Sequence, residues 1–168
     1  MKRNNIFKLI FTAAALAVMV CIFVLSAQPA EVSSETSEGF IATLVKLFVK
    51  NFGGMSPEKQ QALIDSLQFA VRKLAHFSIY GACGFFIAGS MAFHTGMKFP
   101  VKYGLALLIG MVYAASDEFH QHFVPGRSCE LRDMCIDWSG VLLGILLQVL
   151  LFYLTVHILR RKRDVKKR

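Results

Sequence analysis

Four stretches of this sequence contain no Asp, Glu, Lys or Arg: residues 9–27, 74–97, 103–116 and 138–159. The hydrocarbon core of a bilayer is about 30 Å thick, and a helix rising about 1.5 Å per residue needs roughly 20 apolar residues to cross it. With 19, 24 and 22 residues, the first, second and fourth stretches meet that length. Backbone amides inside a bilayer have no water to bond, so such segments fold as helices. Composition agrees. Hydrophobic residues make up 55% of the chain and charged residues 18%, where a soluble domain usually carries about 25% charged residues. The expected fold is all-α: a polytopic membrane helical bundle with about four transmembrane helices and one or two extracytoplasmic or interfacial helices. A chain of 168 residues has room for a single domain. The expected spans are residues 6–27, 74–96, 103–122 and 137–159.

The first stretch follows Lys2, Arg3 and Lys8, so a cleaved signal peptide is its rival reading. Its apolar run exceeds the roughly 7–15 residues usual for a signal peptide. The third stretch is short. Its 14 residues reach only about 21 Å, so a spanning helix must continue through Asp117 and Glu118 to Gln121. A carboxylate at that depth is costly and faces protein or water rather than lipid.

Residues 28–73 form a long outer loop between the first two spans. It begins polar, with Glu31, Ser33, Ser34, Glu35, Ser37 and Glu38. Over residues 40–52, Phe40, Leu44, Phe48 and Phe52 recur every four positions, with Thr43, Lys46 and Lys50 on the opposite side. That periodicity predicts an amphipathic helix, either lying in the membrane interface or packed against the bundle. Gly53-Gly54 ends it, and Ser56-Pro57 supplies an N-cap and a first helical residue for the next helix. No breaker separates that helix from the second span. In the fourth span Gly140 and Gly144 lie four apart, a spacing that lets helices approach closely.

Four spans put both termini on one side of the membrane. Lys2, Arg3, Lys8, Lys98, Lys102 and the basic tail, residues 160–168, then share that side with one acidic residue, Asp164. The excess of Lys and Arg predicts that this side is cytoplasmic. The tail suits anionic lipid better than nucleic acid, because no nucleic-acid-binding motif accompanies it. Cys21 and Cys83 fall in apolar runs. Cys129 and Cys135 flank a polar loop, where they are either free thiols or a disulfide in an oxidising compartment.

Alternating helix direction brings Arg72 and Lys73, Asp117 and Glu118, and Asp133 and Asp137 to the same membrane face. Arg72, His76 and Tyr80 share one helix face by their four-residue spacing, as do Asp117 and Gln121, and Asp133 and Asp137. Arg72 and Lys73 are the expected partners of Asp117 or Asp137. The cluster is either an ion-pair network that holds helices together or a ligand site built from the same residues.

These residues form three spaced blocks: Arg72-Lys73-x-x-His76-x-x-x-Tyr80, Asp117-Glu118-x-x-Gln121-x-Phe123-x-Pro125-Gly126-Arg127, and Asp133-x-x-x-Asp137-x-x-Gly140. Together with Ser26-x-Gln28-Pro29 they resemble the VanZ family over most of residues 26–151. The chain departs from the family pattern at Asp137, where Asn is the commoner residue. The resemblance implies a multi-pass protein of the bacterial cytoplasmic membrane, associated with low-level resistance to the lipidated glycopeptide teicoplanin. It assigns no catalytic roles. The expected ligand-binding residues are Arg72, Lys73, His76, Tyr80, Asp117, Glu118, Gln121, Arg127, Asp133 and Asp137. The expected partners are membrane lipid and a lipid-linked cell-wall precursor or lipoglycopeptide. No cofactor is implied, and His120 and His122 lack the spacing of a metal motif. Three functional classes stay open: an envelope binding protein, a membrane enzyme acting on a lipid-linked precursor, and a small transport component. Small size and the lack of an internal repeat weigh against the last.

Overall fold

The computed structural model describes residues 2–94 and 96–166. Lys167 and Arg168, the end of the basic tail, lie outside the described residues. The described residues form five α-helices: α1 (Lys2–Ser26), α2 (Ala30–Phe48), α3 (Pro57–Ala92), α4 (Phe99–Gln121) and α5 (Leu131–Lys166). A one-turn 3-10 helix, Phe52–Gly54, joins α2 to α3. Among the described residues there are no strands.

Four of these helices, all but α2, are long and apolar enough to cross a membrane. The chain is therefore a multi-pass membrane protein. Its surface suits that solvent: Leu9, Val20, Leu108, Val112, Leu146 and Leu150 are exposed along the spans. Successive spans alternate in direction. One end of the bundle thus gathers the C-terminus of α1, the middle of α3, the C-terminus of α4 and the N-terminus of α5. This is called the polar end below.

Helix α3 is the hub and packs on all four other helices, most extensively on α5. Membrane helices gain no hydrophobic drive from leaving lipid, so close backbone approach matters more there. Gly81 and Gly84 of α3 face Gly140, Val141 and Gly144 of α5. A Cβ at Gly140 would strike the Phe77 carbonyl, one at Gly144 the Gly81 carbonyl, and one at Gly84 the Val141 carbonyl. The close approach expected from Gly140 and Gly144 is present. Around this seam lies a core that packs Tyr80 among smaller side chains, including Cys83, Ala88, Ala106, Ala114, Val141 and Ile145. Tyr113 Oη donates to the Met19 carbonyl at 2.6 Å and ties α4 to α1. Trp138 Nε1 donates to the Met111 carbonyl at 3.1 Å and ties α5 to α4.

The helix starts follow local chemistry. Ser56 is extended (φ −64°, ψ 151°) and Pro57 takes the first helical position, where its missing N–H costs nothing. The helix then runs unbroken into the second span, 36 residues in all. Helix α4 starts at Phe99, ahead of the expected residue 103, because Pro100 also fits a first turn. It reaches Gln121 and so carries Asp117 and Glu118 on regular helix. Helix α2 differs most from the sequence reading. It begins at Ala30 rather than residue 40 and ends at Phe48, so the polar run Glu31–Glu38 is helical. Ile41 and Val45 of α2 are buried with Phe52 and Ile64, forming a small second core against the N-terminal part of α3.

Candidate functional site

The turn after α4 sets the site's geometry. Residues Val124-Pro125-Gly126-Arg127 close with the Arg127 N–H donating to the Val124 carbonyl at 3.1 Å. Gly126 has φ +76°. Pro at the second position and a left-handed Gly at the third define a type II turn, which explains the Pro-Gly pair in the motif. The turn aims Arg127 back at the α1–α2 junction. Its Nε donates to the Gln28 carbonyl at 3.0 Å, its Nη2 to the Leu25 carbonyl at 3.3 Å, and its Nη1 to Gln121 Oε1 at 3.0 Å. The first N–H of α2, on Ala30, donates to the Pro125 carbonyl at 3.1 Å. One arginine and one turn thus strap α1, α2 and α4 together. Burial, and then the nearby Arg72, pull the Arg127 guanidinium below its ordinary range, although a guanidinium keeps its proton.

Asp117 lies beneath that strap and is 4% exposed. Its Oδ2 accepts from Tyr80 Oη at 2.7 Å, Ser26 Oγ at 2.8 Å and Gln121 Nε2 at 2.9 Å. Three neutral donors from α3, α1 and α4 converge on one carboxylate oxygen. Glu118, also buried, accepts the Glu130 backbone N–H at 2.7 Å and ties α4 to the segment leading into α5.

The ion pairs differ from those the sequence suggested. Lys73 pairs with Asp133 rather than with Asp117 or Asp137. His76 Nδ1 lies 3.6 Å from Asp137 Oδ1. Arg72 makes no ion pair or side-chain hydrogen bond among the described residues. The reason is angular: consecutive helix residues point about 100° apart. Lys73 faces α5, whereas Arg72 faces the space between α3, α2 and the end of α1. Asp137 is 1% exposed, and neither of its carboxylate oxygens has a hydrogen-bond partner among the described residues.

That space is a cavity of about 330 Å³. Its walls combine apolar side chains, among them Ile22, Leu25, Phe40, Val71, Ala75 and Ile79, with the hydroxyl and amide groups of α1's end and α2 and with Arg72, His76, Tyr80 and Arg127. A smaller pocket of about 80 Å³ shares Ser33, Arg72, His76 and Arg127 with it and is bounded by Lys73, Gln121, Glu130 and Asp133. Of the ten residues singled out from sequence, Arg72, His76, Tyr80 and Arg127 line the larger cavity. Lys73, Gln121 and Asp133 line the smaller one, and Asp117, Glu118 and Asp137 stand behind the walls. Sequence reasoning left out Ser26 as a partner of Asp117, 91 positions away. The only hint was its place in the Ser26-x-Gln28-Pro29 block. It also left out Ser33 and the apolar wall. Among the described residues, no group of three or more His, Cys, Asp or Glu side chains is placed to hold a metal.

No curated protein and no solved structure matches the chain. The sequence profile of the VanZ/LLP1 family matches residues 11–153, nearly its whole length and inclusive of every residue of the cluster. The chain belongs to the VanZ/LLP1 family.

Proposed function

We propose that this protein is an envelope binding protein of the bacterial cytoplasmic membrane. Its polar end faces outward, its cavity holds a lipid-linked envelope ligand, and its effect is low-level glycopeptide resistance of the teicoplanin type. The observation that carries the reading is the mixed lining of the cavity: six apolar side chains together with Arg72, His76 and Arg127. Small-ligand sites are mostly apolar with a few placed polar groups, and an ionisable cluster at membrane depth marks a functional site by default. The distribution of Lys and Arg supports the orientation, because the basic tail and Lys98 and Lys102 lie at the opposite end.

Orientation has its own test. Cys129 is exposed in the α4–α5 connection at the polar end. A membrane-impermeant maleimide is expected to label Cys129 in intact cells, in a variant whose other cysteines are replaced. Labelling only after lysis would reverse the topology.

Function is tested in a deletion strain challenged with teicoplanin and related lipoglycopeptides. Deletion is expected to lower the inhibitory concentration, and the wild-type gene to restore it. Arg72→Ala is expected not to restore it while reaching the membrane at the wild-type level. Full restoration by well-expressed Arg72→Ala and Asp117→Ala would sink the site.

The His76–Asp137 pair favours a second reading. A carboxylate beside one ring nitrogen of a histidine on a cavity wall is an arrangement suited to proton transfer. On this reading the protein is a membrane enzyme acting on a lipid-linked cell-wall precursor. Release of product from a labelled precursor, lost in His76→Ala, distinguishes it from the binding protein, which binds without turnover.

A further inference from the structure

We propose that the cavity between α1, α2 and α3 takes an amphiphile with a phosphate head and one apolar chain. The proposal rests on the reading of the cavity as a ligand site and names the chemical class of that ligand. It begins from the charges. The residues lining the larger cavity include Arg72, Arg127 and His76 but no Asp or Glu. Two guanidinium groups facing one low-dielectric space favour an anion there.

The partners of each charged group narrow this further. Lys73 is neutralised by Asp133, and Asp117 Oδ2 accepts from Ser26, Tyr80 and Gln121. Arg127 uses three of its N–H groups to hold the α1–α2 junction and Gln121. Of the two guanidinium groups on the cavity walls, only that of Arg72 has no acceptor among the described residues. A half-buried guanidinium with its donors uncommitted, beside a second guanidinium, matches the planar, bidentate recognition of phosphate. Burial and Arg72 disfavour the Arg127 charge more than Asp117 and Glu118 favour it, and a bound anion adds to the favourable side.

The rest of the wall dictates the chain. Besides Ser26, Gln28, Ser33, Thr36 and Ser37 it holds Ile22, Leu25, Phe40, Val71, Ala75 and Ile79. The Ser26, Thr36 and Ser37 hydroxyls already donate to Asp117 and to the Val32 and Ser33 carbonyls, so the apolar side chains supply most of the free surface. Leu25 and Phe40 are about half exposed, at 46% and 57%, so the apolar wall is not sealed. A chain can therefore enter from the bilayer while its head stays at the polar end. The smaller pocket shares Ser33, Arg72, His76 and Arg127 with the larger one, and the head is placed at these shared residues; Glu130 and Asp133, the latter paired with Lys73, also line that pocket.

The test uses the purified full-length protein in a neutral detergent, with hexadecyl phosphate, hexadecanol and inorganic phosphate as probes. Hexadecyl phosphate is expected to bind saturably and raise the melting temperature. Hexadecanol and inorganic phosphate are each expected to bind at least about tenfold more weakly, because each supplies one half of the recognition. Arg72→Gln is expected to weaken hexadecyl phosphate by about ten- to hundredfold, the worth of charge-assisted hydrogen bonds, with an unchanged melting temperature when unliganded. Ala75→Trp, which fills the apolar chamber, is expected to weaken the alkyl phosphate and leave inorganic phosphate unaffected. Equal binding of hexadecanol, equal binding by Arg72→Gln, or equally tight binding of inorganic phosphate would each overturn the proposal. If no probe binds but Arg72→Ala still loses resistance in cells, the ligand class is wrong and the functional reading stands. If resistance is also unchanged, both are wrong.

Discussion

Gly144→Leu is expected to open the α3–α5 seam. The Gly144 Cα faces the Gly81 backbone so closely that even a Cβ would overlap the Gly81 carbonyl oxygen. A backbone carbonyl cannot rotate away as a side chain can, so the helices must separate. Overpacking a filled interior costs about 1–3 kcal/mol where side chains can adjust, and more where they cannot. Separation also forfeits the contacts around Val141 and Ile145, both in the main core. A loss of roughly 3 kcal/mol or more lowers the melting temperature of a chain this size by about 6–12 °C. Gly104→Leu is the control, because a Cβ there meets nothing within 4 Å. Thermal unfolding in detergent should separate the two variants. Equal melting temperatures would show that α3 and α5 are not packed through their glycines.

The second large effect is expected at Asp117. Removing the carboxylate in Asp117→Ala strands the donors of Ser26, Tyr80 and Gln121, all buried and drawn from three helices. A hydrogen bond to a charged group contributes about 1.5–3 kcal/mol, and the three share one acceptor oxygen, so they do not add. The expected total is about 3 kcal/mol, since a stranded neutral donor costs about 1–3 kcal/mol and loss of the buried charge offsets part of the sum. Asp117→Asn keeps an acceptor without the charge and should fall between wild type and alanine. Tyr80→Phe removes one donor and should cost less than Asp117→Ala. The double variant Tyr80→Phe/Asp117→Ala should be little worse than Asp117→Ala alone. Insertion is expected to continue in all of them, because the apolar spans that drive it are untouched. Additive losses in the double variant would show that Tyr80 and Asp117 do not share this bond.

Much of the fold could be read directly. The spans followed from charge-free runs, and the extension of α4 through Asp117 followed from the length a bilayer demands. What sequence could not give was direction around a helix axis. Arg72 and Lys73 are adjacent and chemically alike, yet one turns to the cavity and the other to Asp133. Only the packing of α3 against α5 decides which does which. The same limit hid Ser26, whose bond to Asp117 joins the ends of α1 and α4. The first ten residues of α2 were obscure for another reason. Their Ser and Glu content favours a loop by composition, but tertiary bonds hold them in a helix. The Ala30 N–H is taken by Pro125, the Ser34 carbonyl by Gln68 at 3.2 Å, and Glu38 by Gln61 at 2.6 Å. Local propensity is a weak prior against such anchors.

The unbroken length of α3 has a mechanical consequence. Its 36 residues extend about 54 Å, well beyond the hydrocarbon thickness, and neither Gly nor a further Pro occurs between Pro57 and Tyr80. Sharp helix kinks need such residues or an inserted group. Ile64, clamped to α2, and Arg72, inside the cavity, therefore ride on one stiff rod. A displacement of the N-terminal part of α3 carries Arg72 with it, so the α2–α3 hairpin acts as the long arm of a lever whose short arm carries the cavity's uncommitted cation.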